Sequence, residues 1–201
     1  MKRLSFLLLM MMSVMLVFGQ KKRSKSTKDS HVSKVITSNI QWWGYKVVKS
    51  EATSHTGTLN LKNGKFYFED GKLKGGDFVI DMRTINVTDL SGGESEKLIT
   101  DLKGNTFFEV KKYPTATFHL TRIEPSKNTE YNSVVYGNLT LKGVRKTISF
   151  PANVSVNGTS VSLESAKFTL DRQTFNVFYR PSFKDYVIKD EMDVQLRLAT
   201  K

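Results

Sequence analysis

The chain has 201 residues, 39% of them apolar, 11% aromatic and 25% charged, which suits one globular domain with a short extension and excludes disorder over most of its length. It contains no cysteine, so disulfides, thiolate metal sites, a cysteine nucleophile and a lipid-modified N-terminal cysteine are excluded, and three histidines, His31, His55 and His119, leave little material for metal or acid–base chemistry. A formal charge of +12 would point to nucleic acid or an anionic membrane if it lay on the folded part, but most of it does not.

Met1-Lys2-Arg3 is a short positive head, Leu4 to Phe18 is a nearly unbroken apolar run, and Gly19 precedes a suitable cleavage point. Residues 1–19 are therefore expected to be a signal peptide, and the protein to be periplasmic or secreted after cleavage near Gly19. The apolar run is shorter than the ~20 residues of a spanning helix. Lys21 to Lys28 then holds five positive charges and no acid, so residues 20–32 are expected to form a basic flexible tail, with weak contact to anionic head groups as its sharper role. From Asp29 onward the excess is only +5.

The domain, expected over residues 33–201, is rich in Val, Thr, Phe and Tyr with period-2 alternation. Turns are expected at Asn63-Gly64, Asp70-Gly71, Lys142-Gly143 and Asn157-Gly158. Phe78, Ile80 and Met82 share one face of a strand, Phe118 and Leu120 one face of another, and Met192, Val194, Leu196 and Leu198 one face of the last. His119 falls on the opposite, wet face of its strand, and His31 falls in the tail. Glu94 to Gly104 breaks the pattern: Leu98, Ile99 and Leu102 have helical spacing, Ser91 and Ser95 offer caps, and Gly104 a stop. One short helix among eight or nine strands predicts an all-β antiparallel barrel whose interior is either filled or holds one small ligand.

No catalytic constellation emerges, and the protein is expected not to be an enzyme. The histidines lie outside any nucleophile-elbow setting, and Gly75-Gly76 and Gly92-Gly93 lack the context of a phosphate loop. Asp190 and Glu191 are adjacent in a strand and point to opposite faces. The basic cluster has no interleaved aromatics, so nucleic acid is not an expected partner. A reaction on a lipid head group would need His55 to point inward beside an acid. The sequons at Asn86, Asn138, Asn153 and Asn157 matter only in a eukaryotic secretory route.

Several motifs occur together and in order: Trp43-Gly44-Tyr45-Lys46, His55-Thr56-Gly57 and Gly75 to Asp81 in the first half; Lys97-Leu98, Leu102-Lys103, Phe107 to Val110 and Tyr113 to Phe118 in the middle; Gly137 to Lys146 and Phe168 to Asn176 beyond. Over residues 33–199 this order resembles the YceI-like family of periplasmic polyisoprenoid-binding proteins. The resemblance implies an extended eight-stranded antiparallel lipocalin-like barrel around a long apolar tunnel for an isoprenoid chain, such as a quinone tail, or for a fatty acid or amide. Two departures from the family pattern stand out: Asp101 stands where a histidine is frequent, and Thr174 and Asn176 stand where an acid and a glycine flank the phenylalanine.

The function expected is binding of a polyisoprenoid or isoprenoid quinone for carriage or storage, with the lipid as ligand and no other cofactor. Strand faces and the resemblance together propose Trp43, Phe78, Ile80, Phe118, Leu120, Leu139, Leu141, Phe168 and Leu170 as lining, Phe107 and Phe108 as a gate, and Lys46 and Arg172 as head-group residues. The partners expected are the lipid, a membrane surface through the tail, and a second copy of the chain. The competing class is an envelope-stress or protein-interaction module with a filled barrel, and a continuous tunnel of several hundred Å3 would favour the carrier.

Overall fold

The computed structural model describes residues 29–127, 129–179 and 186–201, so the expected leader and residues 20–28 of the tail lie outside the described residues. Nine strands follow in chain order: β1 (Ser30–Val48), β2 (Glu51–Glu69), β3 (Lys72–Val87), β4 (Thr115–Pro125), β5 (Ser133–Leu141), β6 (Val144–Asn157), β7 (Ser160–Ser165), β8 (Phe168–Asp171) and β9 (Tyr186–Thr200), with one α-helix, α1 (Gly92–Lys103), between β3 and β4. All ladders are antiparallel, and β1 pairs with both β2 and β9, which closes the sheet. The short β7 and β8 lie one after the other along β9, so they occupy one strand position and the barrel is eight-stranded. Strand β1 begins three residues earlier than the domain boundary drawn at Ser33. His31 is therefore a strand residue opposite Phe68, not part of a tail.

Three tight hairpins occur where a turn dipeptide was expected. Asp70-Gly71 and Lys142-Gly143 have positive φ at both central residues, as a type I′ turn requires, and Gly158, at φ 59°, opens the β6–β7 turn. A fourth hairpin, Lys49-Ser50, has φ values of 47° and 75° without any glycine, so no sequence signal announced it. The turn expected at Asn63-Gly64 does not exist. Both residues continue β2, paired with Val79 and Phe78 beside a bulge after Leu61. Gly64 is small for a packing reason instead: a Cβ there would meet Leu61, Phe78 and Val35 side chains at 2.8–2.9 Å.

The interior divides into two halves along the barrel axis. At the end carrying the β2–β3 and β6–β7 turns, Phe66, Phe68, Phe78, Leu120, Val135, Phe150, Val161 and Leu163 are almost wholly buried, and Phe66 meets Phe78 edge to face at 5.0 Å. This end is blind. At the other end Met82, Ile85 and Val87 of β3 pack with Leu102 of α1, Phe107, Val110, Leu141, Phe175 and Val177. The helix begins after Ser91, two residues before the expected start. It is ended by Gly104, whose N–H donates to Asp101 O with φ −71°, so the stop needs no left-handed residue. Asp101 itself is exposed. Asn176 does take the left-handed conformation, φ 58° and ψ 32°, which suits a glycine and which asparagine adopts at little cost.

On the outer face of β1, Tyr45 donates to Asp193 Oδ2 at 2.6 Å, and that bond, with burial and the carboxylate charge behind it, pushes the phenol up to about 12. A folded pKa above the unfolded value near 10 means that this contact stabilises below pH 10 and is lost as pH rises towards 12. Ultraviolet titration should show tyrosine ionisation extending to about pH 12, and Asp193→Asn should remove that latest component.

Candidate functional site

The barrel encloses an apolar cavity of about 220 Å3. Its wall alternates with the outer surface residue by residue, because successive side chains of a strand point to opposite faces. Ile40 and Leu59 on β1 and β2, Phe78, Ile80 and Met82 on β3, Ala116, Phe118 and Leu120 on β4, Leu139 and Leu141 on β5, Ile148 and Phe150 on β6, and Met192, Val194, Leu196 and Leu198 on β9 supply it. The packed phenylalanines Phe66 and Phe68 lie beyond it and end it. No strand ladder joins β6 to β8 among the described residues. Phe150 and Phe168 cover that seam by stacking at 4.4 Å with an interplanar angle of 9°.

All eleven residues proposed as lining or gate border this cavity. Phe118 sits between Phe78 and Phe150, with ring centroids 6.3 and 5.8 Å away. Phe107, directly after α1, is buried and stacks on Tyr179 at 4.7 Å, so it anchors the loop at this end; Phe108 is half-buried beside it. Trp43 differs from expectation. It borders the cavity, but it shares the outer face with Tyr45 and Asp193, and Lys167 Nζ sits 3.7 Å from its ring centroid. The inward tryptophan is Trp42, which packs on the core over Gly57, and its buried indole N–H has no protein acceptor. Two tryptophans in succession hide which one faces in; the glycine opposite Trp42 in the ladder is the signal that decides it.

Polar groups gather at the helix end of the cavity, where Lys46, His55, Arg172, Lys189 and Glu191 line it. Lys46 and His55 come from the two arms of the β1–β2 hairpin. Lys46 Nζ lies 2.8 Å from His55 Nε2, and His55 Nδ1 lies 2.8 Å from Asp89 Oδ2, while Asp89 Oδ1 accepts from Thr56 N–H at 2.9 Å. A lysine ammonium only donates, so His55 Nε2 accepts and Nδ1–H donates to Asp89. His55 thus does point inward beside an acid. Its Nε2 is occupied by Lys46, which leaves it no free base nitrogen toward the cavity. Among the described residues no group of three or more metal-ligating side chains comes together.

Arg172 is at the same end but is committed elsewhere. Its side chain is 7% exposed. It donates to the carbonyls of Lys189, Val177 and Ile188 at 3.1, 2.5 and 3.3 Å and to Asp190 Oδ1 at 2.7 Å. Asp190 is held in turn by Gln173 at 2.6 Å. Four of its five N–H groups are used, so Arg172 ties the segment after β8 to β9 and leaves one donor for any head group. Its ion-pair partner is Asp190 on β9. His119 is exposed on the outer face and meets Asp77 Oδ1 at 2.5 Å; that bond, with a second from Tyr67, holds the Asp77 carboxyl below its ordinary range.

A family model described as YceI-like domain matches residues 27–200. A protein of Yersinia pestis (strain Pestoides F) described as UPF0312 protein is 35% identical over 102 residues, 51% of this chain and 50% of its own; the match spans about half the length of the curated relatives. Among solved structures, Burkholderia cenocepacia BcnA aligns over 82% of this chain and 96% of its own, with TM-score 0.62 and 23% identity. A polyisoprenoid binding domain from Saccharophagus degradans, implicated in plant cell wall breakdown, aligns over 86% and 99%, with TM-score 0.57 and 13% identity. At these identities the two structures establish a shared fold.

Proposed function

Since the chain belongs to the YceI-like domain family, we propose that its barrel binds a long-chain apolar lipid, a polyisoprenoid or isoprenoid quinone, and carries or stores it after export to the periplasm. The observation that supports this reading is a closed barrel whose cavity wall is apolar along its length and polar only at the helix end. That asymmetry matches a molecule with a long hydrocarbon chain and one polar head. Each buried methylene-sized carbon contributes ~0.8 kcal/mol, so the chain needs no directional contact to be held. The head then lies near Lys46 and His55, with Arg172 holding the frame around it. Nothing in the proposal requires a reaction.

A cavity of about 220 Å3 is smaller than a complete isoprenoid chain requires. Uptake therefore demands that half-buried aromatics of the wall, Phe108, Phe118 and Phe168, change rotamer, or that the chain's end remains outside the mouth. The packed blind end supports a partly filled barrel, and a wholly filled one is the alternative the experiment must defeat.

The test is native mass spectrometry of the protein purified from its own cell envelope, followed by organic extraction of whatever it holds. A stoichiometric isoprenoid lipid is the expected result; a fatty acid or amide would keep the carrier and change the ligand. Protein that is consistently empty and takes up neither added quinones nor polyprenols would overturn the reading in favour of a protein-interaction module.

A further inference from the structure

The polar lining of the cavity lies at the helix end, where, among the described residues, the β1–β2 hairpin, the connection from β3 through α1 to β4, the β5–β6 hairpin and the segment 172–179 after β8 come together. Two large apolar side chains are exposed there, Phe178 and Val187, each at 56%. Phe178 precedes Tyr179, which stacks on Phe107, and Val187 pairs with Val47 at the tip of β1. Beside them the loop 107–113 and the β5–β6 hairpin abut, since a Cβ on Gly143 would meet the Tyr113 ring at 3.0 Å. These two loops carry Lys111, Lys112, Lys142, Arg145 and Lys146 against a single acid, Glu109, which reaches Lys112 at 3.9 Å. Lys111, Lys112, Arg145 and Lys146 are exposed.

We propose that this mouth face docks on an anionic phospholipid surface, with Phe178 and Val187 entering the head-group layer and the basic loops facing the lipid charge. The inference rests on the lipid-binding reading and assigns the step at which the ligand is loaded and released. An isoprenoid chain crossing water would lose its burial energy carbon by carbon, so transfer requires the opening to meet the bilayer. Apolar tips set among cations suit a bilayer interface, where apolar burial and attraction to anionic lipids act together. The surface is distinct from the basic segment at residues 21–28, which lies outside the described residues.

The experiment is sedimentation of the protein, in the form purified from the envelope, with vesicles of mixed phosphatidylglycerol and phosphatidylcholine and with vesicles of phosphatidylcholine alone. Reversal of three mouth charges, Lys111→Glu, Arg145→Glu and Lys146→Glu, should weaken binding to the mixed vesicles by roughly 100-fold at low salt. Phe178→Ser with Val187→Ser should weaken it on both vesicle types. A control at the blind end combines Val32→Ser, Ile36→Ser, Lys34→Glu and Lys65→Glu, which removes exposed apolar and basic groups of the same kinds; it should bind as the unaltered protein does. Thermal melts confirm that each variant folds. Unchanged binding of the mouth variants, or loss confined to the blind-end variant, would overturn the proposal. Lipid content measured on the same samples separates the two ideas. Mouth variants that bind vesicles normally while the protein holds lipid sink only the docking face, whereas empty protein that still docks sinks the carrier.

Discussion

Phe118→Asp is expected to purify without bound lipid, while Phe118→Ala keeps it. Phe118 projects into the cavity from β4, between Phe78 and Phe150, and its ring lies over Gly137, where a Cβ would sit 2.3 Å from Cζ. Either substitution removes the same ring and costs roughly 3–5 kcal/mol of packing. Only the aspartate adds a carboxyl to a wall that offers it no hydrogen-bonding partner. Whether it ionises or stays protonated, an apolar chain lying against it would strip its water at a cost of several kcal/mol. The comparison therefore separates wall polarity from stability. Lipid measured by native mass spectrometry in both variants, with melting curves alongside, checks it. Equal occupancy in both would remove Phe118 from the binding wall, and loss from both would point to collapse of the site.

Gly57→Ala should be the most destabilising single methyl in the chain's strands, at about 3 kcal/mol or more. Its Cβ would fall 1.8 Å from the backbone oxygen of Asn86 and 2.6 Å from Trp42 Cζ2. A side chain can rotate away, but the Asn86 carbonyl belongs to the β2–β3 ladder, so the strands must separate at that point. Gly71→Ala is the counterpart: its φ of 71° strains any other residue, yet nothing lies within 4 Å, and the cost should stay near ~1 kcal/mol. Urea denaturation of the two variants should differ accordingly. If Gly57→Ala costs no more than Gly71→Ala, the close approach of the Asn86 carbonyl to Gly57 does not hold in solution.

Much of the site was legible because period-2 alternation is a local property. Phe78 and Ile80, Phe118 and Leu120, Leu139 and Leu141, and Phe168 and Leu170 each alternate with polar neighbours, so one buried face suffices to place them inward. The helix was legible for the same reason at a different period. Alternation fails where two similar residues are adjacent or where a strand is bulged. Trp42 and Trp43 were indistinguishable until the ladder set Trp42 opposite Gly57 and Trp43 opposite Asp193. Asn63-Gly64 has the composition of a turn, but β3 and β1 pack against it and the close approach at Gly64 explains the glycine better.

The sequence alone thus determined an all-β barrel with one short helix, its inward faces and three of its hairpin turns, because those follow from neighbouring residues and their hydrogen-bonding periods. Only the tertiary structure decided what depends on groups distant in the chain. It joined Lys46 and His55 to Asp89, 34 residues further on from His55. It tied Arg172 to Val177 after β8 and to Lys189 and Asp190 on β9. It made one end of the barrel blind and the other a mouth. Those outcomes are set by strand register and by which loops meet at a barrel rim, and neither quantity exists until the sheet closes.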